Sequence, residues 1–564
     1  MGMEFVITNQ KIDQAVKVRD FYIKGDFFEK DGHYFFFKRT LYELEKTTEE
    51  YFLEFLEDKS LFVKNRKGDF AFVDVDSQSG EIFFATDRLG KENIYYMTGN
   101  LFVLTNSFWE GIRLIGPDEE QIDWLAVKEL IIHYIVPFHK TLVHGYKILR
   151  PAQIAKVIRR EDGYDFMAET YWHMNYCPRE TTLQETAEKV YHLFDHTFEM
   201  LAQKYGKDTK FGVGLSGGWD SRLITYFARK HHLNIVPYCI GEKYLCFPIR
   251  TNGYKVAKRL AKYFELPDFR FVEYNSEAYL KKAAREVQMI PNRASNIEIG
   301  CMDTIPDFDI MLDGEHGGVF FGEFDFEPIL KYTSQNIEDC LLGLLVADQK
   351  QEMIMSKEDY EKLKEEAREY VQSLQTDKRF DIYYRYFFEI KGSKAKNGFF
   401  ETIYGTKERY CMYLDPDFVD EYLTWDPMFL ANRALQRYFF KTYFPEMSKM
   451  ADETTDAPLF WRDASIKNVP IRFVYAVKNY IFKSSLRREK WLARDKEFWR
   501  LLKKTADCNT EMLSRHFPEL KIKEFYRSNP RAAANLLKVT MVIDAMLHCT
   551  NEDKEAYILS RYKS

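Results

Sequence analysis

The chain has 564 residues, of which 46% are hydrophobic and 30% are charged, and its formal net charge at pH 7 is -6. This length predicts two or more domains, each with a sizeable core. The slightly acidic balance gives no electrostatic reason to bind nucleic acid or an anionic membrane, and without an apolar run of roughly 18 residues or a signal sequence we expect a cytoplasmic protein.

Residues 1 to about 175 are predicted to form a β-rich layered domain with a few helices. Short aromatic or β-branched runs separated by Gly, Asn and Asp are typical of strands. The predicted strands are Met3–Ile7, His33–Phe37, Phe70–Val75, Ile82–Thr86, Asn93–Met97 and Leu101–Thr105. Two helices are predicted, at Thr48–Glu57 and Gln121–Tyr134.

From about residue 180 onward, strands and helices are predicted to alternate. A long amphipathic helix at Leu183–Tyr205 leads into this region. The predicted order that follows is strand Phe211–Leu215, helix Ser221–Lys230, strand Ile235–Ile240, helix Tyr254–Phe264, strand Phe269–Val272, helix Glu277–Val287 and strand Ile310–Leu312. Such alternation predicts a doubly wound parallel sheet whose ligands gather at the carboxyl ends of the strands. Most of residues 328–564 is predicted to be helical, including Lys357–Leu374 and Ala431–Phe444.

The segment Ser216-Gly-Gly-Trp-Asp-Ser221 lies between the first of these strands and the following helix. Gly217 and Gly218 let backbone N–H groups turn toward a ligand, and the helix N-terminus adds a partial positive charge, so the turn suits a polyphosphate. Ser216 and Ser221 add hydroxyl donors. Asp220 would repel phosphate directly, and we therefore expect it to bind Mg²⁺ between them. A tight strand-to-helix turn without a ligand is the alternative interpretation.

This segment resembles the pyrophosphate loop of the N-type ATP pyrophosphatases, in particular the synthetase domain of the asparagine synthetase family. It lacks the Gly-Lys-Ser/Thr ending of a Walker A loop. The resemblance implies an α/β adenine nucleotide α-hydrolase-like domain that cleaves ATP between its α and β phosphates. By this resemblance, Leu215 and Ile240 would frame the adenine.

A second segment, Asp313-Gly-Glu-His-Gly-Gly318, resembles the family motif Gly-Glu-Gly-Ala-Asp-Glu. The resemblance implies that Asp313 and Gly314 approach the nucleotide and that Glu315 accepts a proton from, or orients, the attacking amine. The family's ligand for a second Mg²⁺ falls at Gly318 or Val319, which have no ligating side chain. Asp313, Glu315 and Glu323 are the alternative ligands. Lys467 is the candidate for the family's phosphate-binding lysine.

Three N-terminal segments resemble the glutaminase-like domain of asparagine synthetases. They are Gly68-Asp-Phe-Ala-Phe-Val73, Ala85-Thr-Asp-Arg-Leu-Gly90 and Leu149-Arg-Pro151. The resemblance implies an N-terminal-nucleophile hydrolase fold with layers in the order αββα. Family members that hydrolyse glutamine expose a cysteine after removal of Met1, but here that position is Gly2 and the first cysteine is Cys177. We therefore expect no glutaminase activity.

The predicted fold class is accordingly α/β plus α+β. The predicted domains are an inactive glutaminase-type domain at 1–175, an asparagine synthetase-like ATP pyrophosphatase domain at 180–420 and its helical C-terminal part at 421–564. The implied function is adenylation of a small-molecule or peptide carboxylate with ATP and Mg²⁺, followed by acyl transfer to ammonia or another amine, and a homodimer is possible. A non-catalytic nucleotide-binding or partner-binding member is the alternative. Adenylation of a tRNA base is a third hypothesis, which the acidic charge and the N-terminal resemblance disfavour.

Overall fold

The computed structural model describes most of the chain. The described residues are 4–160, 163–241, 243–246, 249–273, 279–295, 305–322, 341, 351–374, 379–386, 388–390, 408–453, 457–459, 469–470, 473–474, 492, 495–549 and 553–563.

Two six-stranded antiparallel sheets form the N-terminal region. The first has the order β10-β8-β9-β1-β3-β2 and the second the order β12-β11-β7-β6-β5-β4. The strands are β1 (Phe5–Thr8), β2 (Val16–Val18), β3 (Phe21–Gly25), β4 (Phe28–Lys30), β5 (His33–Leu41), β6 (Gly68–Asp76), β7 (Ile82–Thr86), β8 (Tyr95–Met97), β9 (Val103–Thr105), β10 (Lys147–Ile148), β11 (Gln153–Arg160) and β12 (Gly163–Thr170).

The aromatic run in β5 shows how the layers are built. Successive side chains of a strand point to opposite faces of the sheet. Phe36 therefore enters the core between the two sheets, where its ring lies 4.8 Å from that of Phe5 in β1. Phe35 and Phe37 enter a second core on the opposite face, which is covered by α1 (Thr48–Glu57) and α2 (Lys59–Asn65).

Helix α3 (Phe108–Ile115) packs on the first sheet, where the ring of Phe108 lies 5.9 Å from that of Tyr95, and helix α4 (Trp124–His133) follows it in the chain. The layers therefore run helix, sheet, sheet, helix, which confirms the predicted αββα order. The hairpin β11–β12 was not predicted. Its buried apolar residues are divided between the two faces of the sheet: Ala155 and Val157 enter the core between the sheets, and Ile154 enters the opposite core.

A five-stranded parallel sheet with the order β17-β14-β13-β18-β19 forms the second region. Its strands are β13 (Lys210–Gly214), β14 (Asn234–Gly241), β17 (Arg270–Glu273), β18 (Ile310–Asp313) and β19 (Glu408–Cys411). A small antiparallel pair, β15 (Tyr244–Cys246) and β16 (Ile249–Arg250), lies outside it. The connecting helices are α5 (Leu183–Lys204), α6 (Trp219–Lys230), α7 (Asn252–Tyr263), α8 (Tyr279–Met289) and α9 (Gly317–Phe320).

The strand order confirms the predicted doubly wound sheet. The chain moves outward from β13 through β14 to β17, then returns to the other side of β13 with β18 and β19. The direction of winding therefore reverses between β13 and β18. In open parallel sheets, ligands bind at the carboxyl ends of the strands next to this reversal.

The remaining described segments are mainly helical. The helices are α10 (Lys357–Ser373), α11 (Arg379–Arg385), α12 (Pro416–Tyr422), α13 (Pro427–Leu430), α14 (Ala434–Tyr443), α15 (Pro445–Ser448), α16 (Lys496–Cys508), α17 (Thr510–His516), α18 (Ile522–Ser528), α19 (Pro530–His548) and α20 (Lys554–Tyr562). The buried helix α19 joins the regions, since the Asn535 amide donates to the carbonyl of Ile131 in α4 (3.3 Å) and accepts from the Ser295 N–H (2.7 Å). Among the described residues, no helix combines the length and apolar content needed to cross a membrane.

Candidate functional site

The turn from Leu215 to Ser221 follows β13 at the reversal of the sheet. Gly217 has a φ of +97°, which a residue with a Cβ rarely adopts, and an added Cβ would lie 3.0 Å from Val256 in α7. Gly218 caps α6, and its N–H donates to the Ser216 hydroxyl (3.2 Å). The Ser221 hydroxyl donates to the Gly218 carbonyl (3.1 Å). The helix therefore begins at this turn, and Asp220 lies in its first turn.

The side chains of Trp219 and Arg222, in the first turn of α6, are buried and stabilise the glycine turn. The Trp219 side chain is buried and packs edge-to-face on Phe440, with 4.9 Å between ring centroids. The buried Arg222 guanidinium lies 4.0 Å from the Trp219 ring centroid and donates to the carbonyl oxygens of Gly217 (2.9 Å) and Ala451. Burial lowers the pKa of Arg222 to about 10, which still leaves it charged at neutral pH. Arg222 thus ties the turn to the segment after α15.

The segment after β18 lies directly against Asp220. A Cβ on Gly317 would lie 2.2 Å from the Asp220 Cγ, and one on Gly314 would lie 3.4 Å from the Asp220 Cβ. Only glycine at position 317 allows this approach. The structure therefore brings together the two segments that the sequence analysis selected, Ser216–Ser221 and Asp313–Gly317, at the switch point of the sheet.

Arg409 in β19 contacts both carboxylates of the second segment. Its guanidinium forms ion pairs with Asp313 and Glu315, and its Nε donates to the Asp313 Oδ2 (2.9 Å). Burial alone would lower the pKa of Arg409, but Asp313 and then Glu315 outweigh it and raise that pKa well above its usual value. Asp313 and Glu315, the alternative metal ligands, are therefore both paired with the guanidinium of Arg409.

The carboxylates of the candidate site suit one Mg²⁺ ion better than two. Mg²⁺ beside a nucleotide usually binds one or two carboxylates together with phosphate oxygens and water, which Asp220 at the loop could satisfy. In the described part of the chain, no group of three or more His, Cys, Asp or Glu residues could hold a metal ion. Of the alternative ligands for a second Mg²⁺, Asp313 and Glu315 form ion pairs with Arg409, and Glu323 lies outside the described residues.

Leu215 and Ile240 lie at the carboxyl ends of the adjacent strands β13 and β14. The Leu215 N–H donates to the Tyr238 carbonyl (2.7 Å), and Ile240 packs against the small cluster of Tyr238, Phe308 and Met311. Their contact with adenine stays a prediction.

His316, in the second segment, is a residue type that binds phosphate or metal, although a lone histidine is more often a hydrogen-bonded loop residue. It is buried, and its ring stacks on Phe388 with 5.4 Å between centroids. Lys467 and Glu323 lie outside the described residues. The eight scattered cysteines, with no Cys-x-x-Cys pair, predict buried free thiols, but Cys177 and Cys508 are exposed, so this prediction is wrong for these two residues.

Three residues at this site were not found from the sequence. Arg409 directly follows Glu408, and this charged pair was the available signal in the sequence. Arg222 directly follows the loop and could have been noted as a cation. No pattern in the sequence pointed to Glu453. It lies beside the glycine turn, since a Cβ on Gly217 would be 3.3 Å from the Glu453 Cβ.

Part of this chain is similar to asparagine synthetases. It is 26% identical over 175 residues to asparagine synthetase [glutamine-hydrolyzing] 1 of Bacillus subtilis, a match that covers 31% of this chain and 27% of that protein. The match thus spans about a quarter of the length of that relative. No protein-family model matches the chain.

Among solved structures, the chain is similar to the glutamine phosphoribosylpyrophosphate amidotransferase of B. subtilis, which was determined with ADP and GMP. The sequence identity is 11%, the TM-score is 0.19, and the alignment covers 43% of this chain and 71% of that one. A TM-score this low carries no weight for the fold or the function.

Proposed function

We propose that this protein is an ATP-dependent amide-forming ligase that makes AMP and pyrophosphate. The observation that carries the proposal is the contact between Asp220 in the glycine turn and Gly317 in the second segment, at the switch point of the parallel sheet. The similarity of one part of the chain to an asparagine synthetase supports the same class of reaction.

In the proposed first step, an oxygen of the substrate carboxylate attacks the α-phosphorus of ATP. The bond between that phosphorus and the oxygen bridging to the β-phosphate breaks, and pyrophosphate leaves with its electron pair. The N–H groups of the turn and the N-terminus of α6 would stabilise the charge that develops on the phosphates. Mg²⁺ held by Asp220 would supply further charge neutralisation when bound.

In the proposed second step, an amine attacks the acyl carbon of the mixed anhydride. The bond between that carbon and the AMP oxygen breaks, an amide forms, and the amine loses a proton. Glu315 is the proposed acceptor or orienting group, and Arg409 would hold its carboxylate in place. We propose ammonia or a substrate amine, and not glutamine, as the nitrogen source.

A second candidate function is nucleotide binding without turnover. The ion pairs of Arg409 favour it, because they occupy the two carboxylates that could have replaced the missing second metal ligand. In this alternative the glycine turn still binds ATP, but no substrate is adenylated.

Product analysis with α-labelled ATP separates these functions. Purified protein is incubated with ATP, Mg²⁺ and panels of carboxylates and amines, including ammonia and glutamine, and AMP is separated from ADP. The ligase proposal predicts carboxylate-dependent AMP and pyrophosphate with an amine other than glutamine. The variant Asp220→Asn should lose this activity, whereas Asp208→Asn, at an exposed carboxylate before β13, should keep it. ATP binding without AMP formation for every substrate pair would favour the second candidate.

A further inference from the structure

Strand β19 is the edge of the parallel sheet and carries the cation of the candidate site. Side chains in a strand alternate between faces. Arg409 and Cys411 point toward the site, since Arg409 binds Glu315 and the Cys411 thiol donates to the Glu315 carbonyl oxygen (3.3 Å). Tyr410 points the other way, and its hydroxyl donates to the carbonyl of Leu41 in the N-terminal region (3.0 Å).

Tyr42, directly after β5, bonds to the outer edge of β19. Its hydroxyl accepts from the Cys411 N–H (2.9 Å) and donates to the Cys411 carbonyl (2.9 Å). Its buried ring packs edge-to-face on Tyr410, with 5.2 Å between centroids. The Tyr42 hydroxyl thus forms hydrogen bonds with both the N–H and the carbonyl of Cys411, two backbone groups that have no strand partner among the described residues on the outer side of β19.

Charged groups of the N-terminal region lie close behind Tyr42. The Lys91 Nζ lies 5.8 Å from the Tyr42 ring centroid and forms an ion pair with Asp69 (2.8 Å). Burial raises the pKa of the Cys411 thiol well above its usual value, and the nearby positive charges of Lys91 and Arg409 oppose that shift. The two regions are therefore close enough for their charges to interact across β19.

We propose that Tyr42 is a positioning residue through which the N-terminal region fixes β19, and with it the Arg409–Glu315 pair. The N-terminal region then contributes to the site by fixing the position of β19. An effect of Tyr42 on turnover rests on the proposed ligase function. The structural role of Tyr42 in fixing the end of β19 is independent of that function.

The variant Tyr42→Phe tests this, with Tyr171→Phe as the matched control. Tyr171 also lies in the N-terminal region, and its hydroxyl donates to the carbonyl of Thr86 (2.9 Å) in β7, a strand that does not pair with β19. Both variants keep the ring and lose a hydroxyl. Thermal melting establishes that each is folded.

The first readout is amide hydrogen exchange of peptides covering residues 408–415 and 310–318. Loss of two buried hydrogen bonds should speed exchange in these peptides by about tenfold or more in Tyr42→Phe and leave it unchanged in Tyr171→Phe. Equal exchange of these peptides in the two variants would overturn the proposal. This result does not depend on whether the protein turns over ATP.

The second readout is steady-state formation of AMP with a carboxylate and amine that the wild type accepts. Tyr42→Phe should lower kcat by about tenfold and change KM for ATP by less than about twofold, because the glycine turn is untouched. A fall in kcat of the same size in Tyr171→Phe would show a general structural effect and contradict the positioning role. If the wild type makes no AMP, the ligase proposal fails. Hydrogen exchange alone then tests whether Tyr42 fixes the position of β19.

Discussion

The guanidinium of Arg409 forms an ion pair with the carboxylate of Glu315, the residue that the sequence analysis selected as the proton acceptor. The same guanidinium binds Asp313, so one cation faces two carboxylates at the carboxyl end of β18. Removing one partner of a buried ion pair leaves the other charges without compensation, which costs more than the pair contributes. The site therefore depends on Arg409 for stability as well as for the position of Glu315.

Replacing Arg409 with Gln should destabilise the fold. We expect a loss of up to about 3–5 kcal/mol in the free energy of unfolding, because Asp313 and Glu315 would repel each other in a largely buried setting, where their side chains are 16% and 11% exposed. Urea titration followed by intrinsic fluorescence measures this change.

The double variant Arg409→Gln/Glu315→Gln is the control for charge. Removing one carboxylate should recover part of the loss, so the two single changes should not add in a double-mutant cycle. Strict additivity would mean that the two residues do not interact.

Replacing Gly317 with Ala should displace Asp220, because the new Cβ would lie 2.2 Å from the Asp220 Cγ. We expect a loss of about 1–3 kcal/mol in stability from this overlap, together with loss of AMP formation. The matched change Gly206→Ala adds a Cβ that has no neighbour within 4 Å and should leave both properties unchanged. A fully active Gly317→Ala protein would contradict the observed contact.

Replacing Arg222 with Met should loosen the glycine turn. Met keeps much of the buried volume but leaves the Gly217 and Ala451 carbonyls without this donor, which should cost about 1–3 kcal/mol. ATP affinity, measured by calorimetry, should fall by about tenfold or more if the turn binds the phosphates. Arg229→Met, at an exposed position on the same helix, should change stability by less than about 0.5 kcal/mol. Equal ATP affinity in the two variants would separate Arg222 from nucleotide binding.

The buried His133 in α4 should make stability depend on pH. Burial lowers its pKa from 6.5 to about 4, and neither ring nitrogen has a hydrogen-bond partner among the described residues. Between pH 6.5 and 4 the unfolded state binds a proton that the folded state does not. Stability should therefore fall as pH falls through this range, by up to roughly 3 kcal/mol.

The variant His133→Phe should flatten this part of the curve of unfolding free energy against pH. His192→Gln, at an exposed histidine, should leave the curve as it is in the wild type. A His133→Phe curve with the wild-type slope would show that other groups cause the acid sensitivity.

The sequence predicted the parallel sheet and the glycine turn because their signals are local. An apolar run such as Phe211–Leu215 followed by Gly217 and Gly218 specifies a strand and a turn within a few residues. The edge hairpin β11–β12 was missed because its outward-facing residues are polar or charged and its apolar alternation is short. In the same way, β2 and β4 are edge strands of only three residues, and their pairing depends on the neighbouring strands β3 and β5.

Contacts between distant segments could not be predicted from local patterns. Arg409 lies 94 positions after Glu315 in the sequence, and Tyr42 lies 369 positions before Cys411. These pairs meet only because β18 and β19 are neighbours in the sheet and because β5 of the N-terminal region ends beside β19. The positions of Arg409 and Tyr42 relative to the site therefore depend on the strand order and on the contact between the two regions.

The proposed ATP site is the turn between β13 and α6. Photolabelling with 8-azido-ATP, followed by mass spectrometry of the labelled peptides, tests this site most directly. We expect labelled peptides containing Leu215 or Ile240, with labelling suppressed by excess ATP. Suppressible labelling of peptides elsewhere in the chain, with none at these two strand ends, would contradict it.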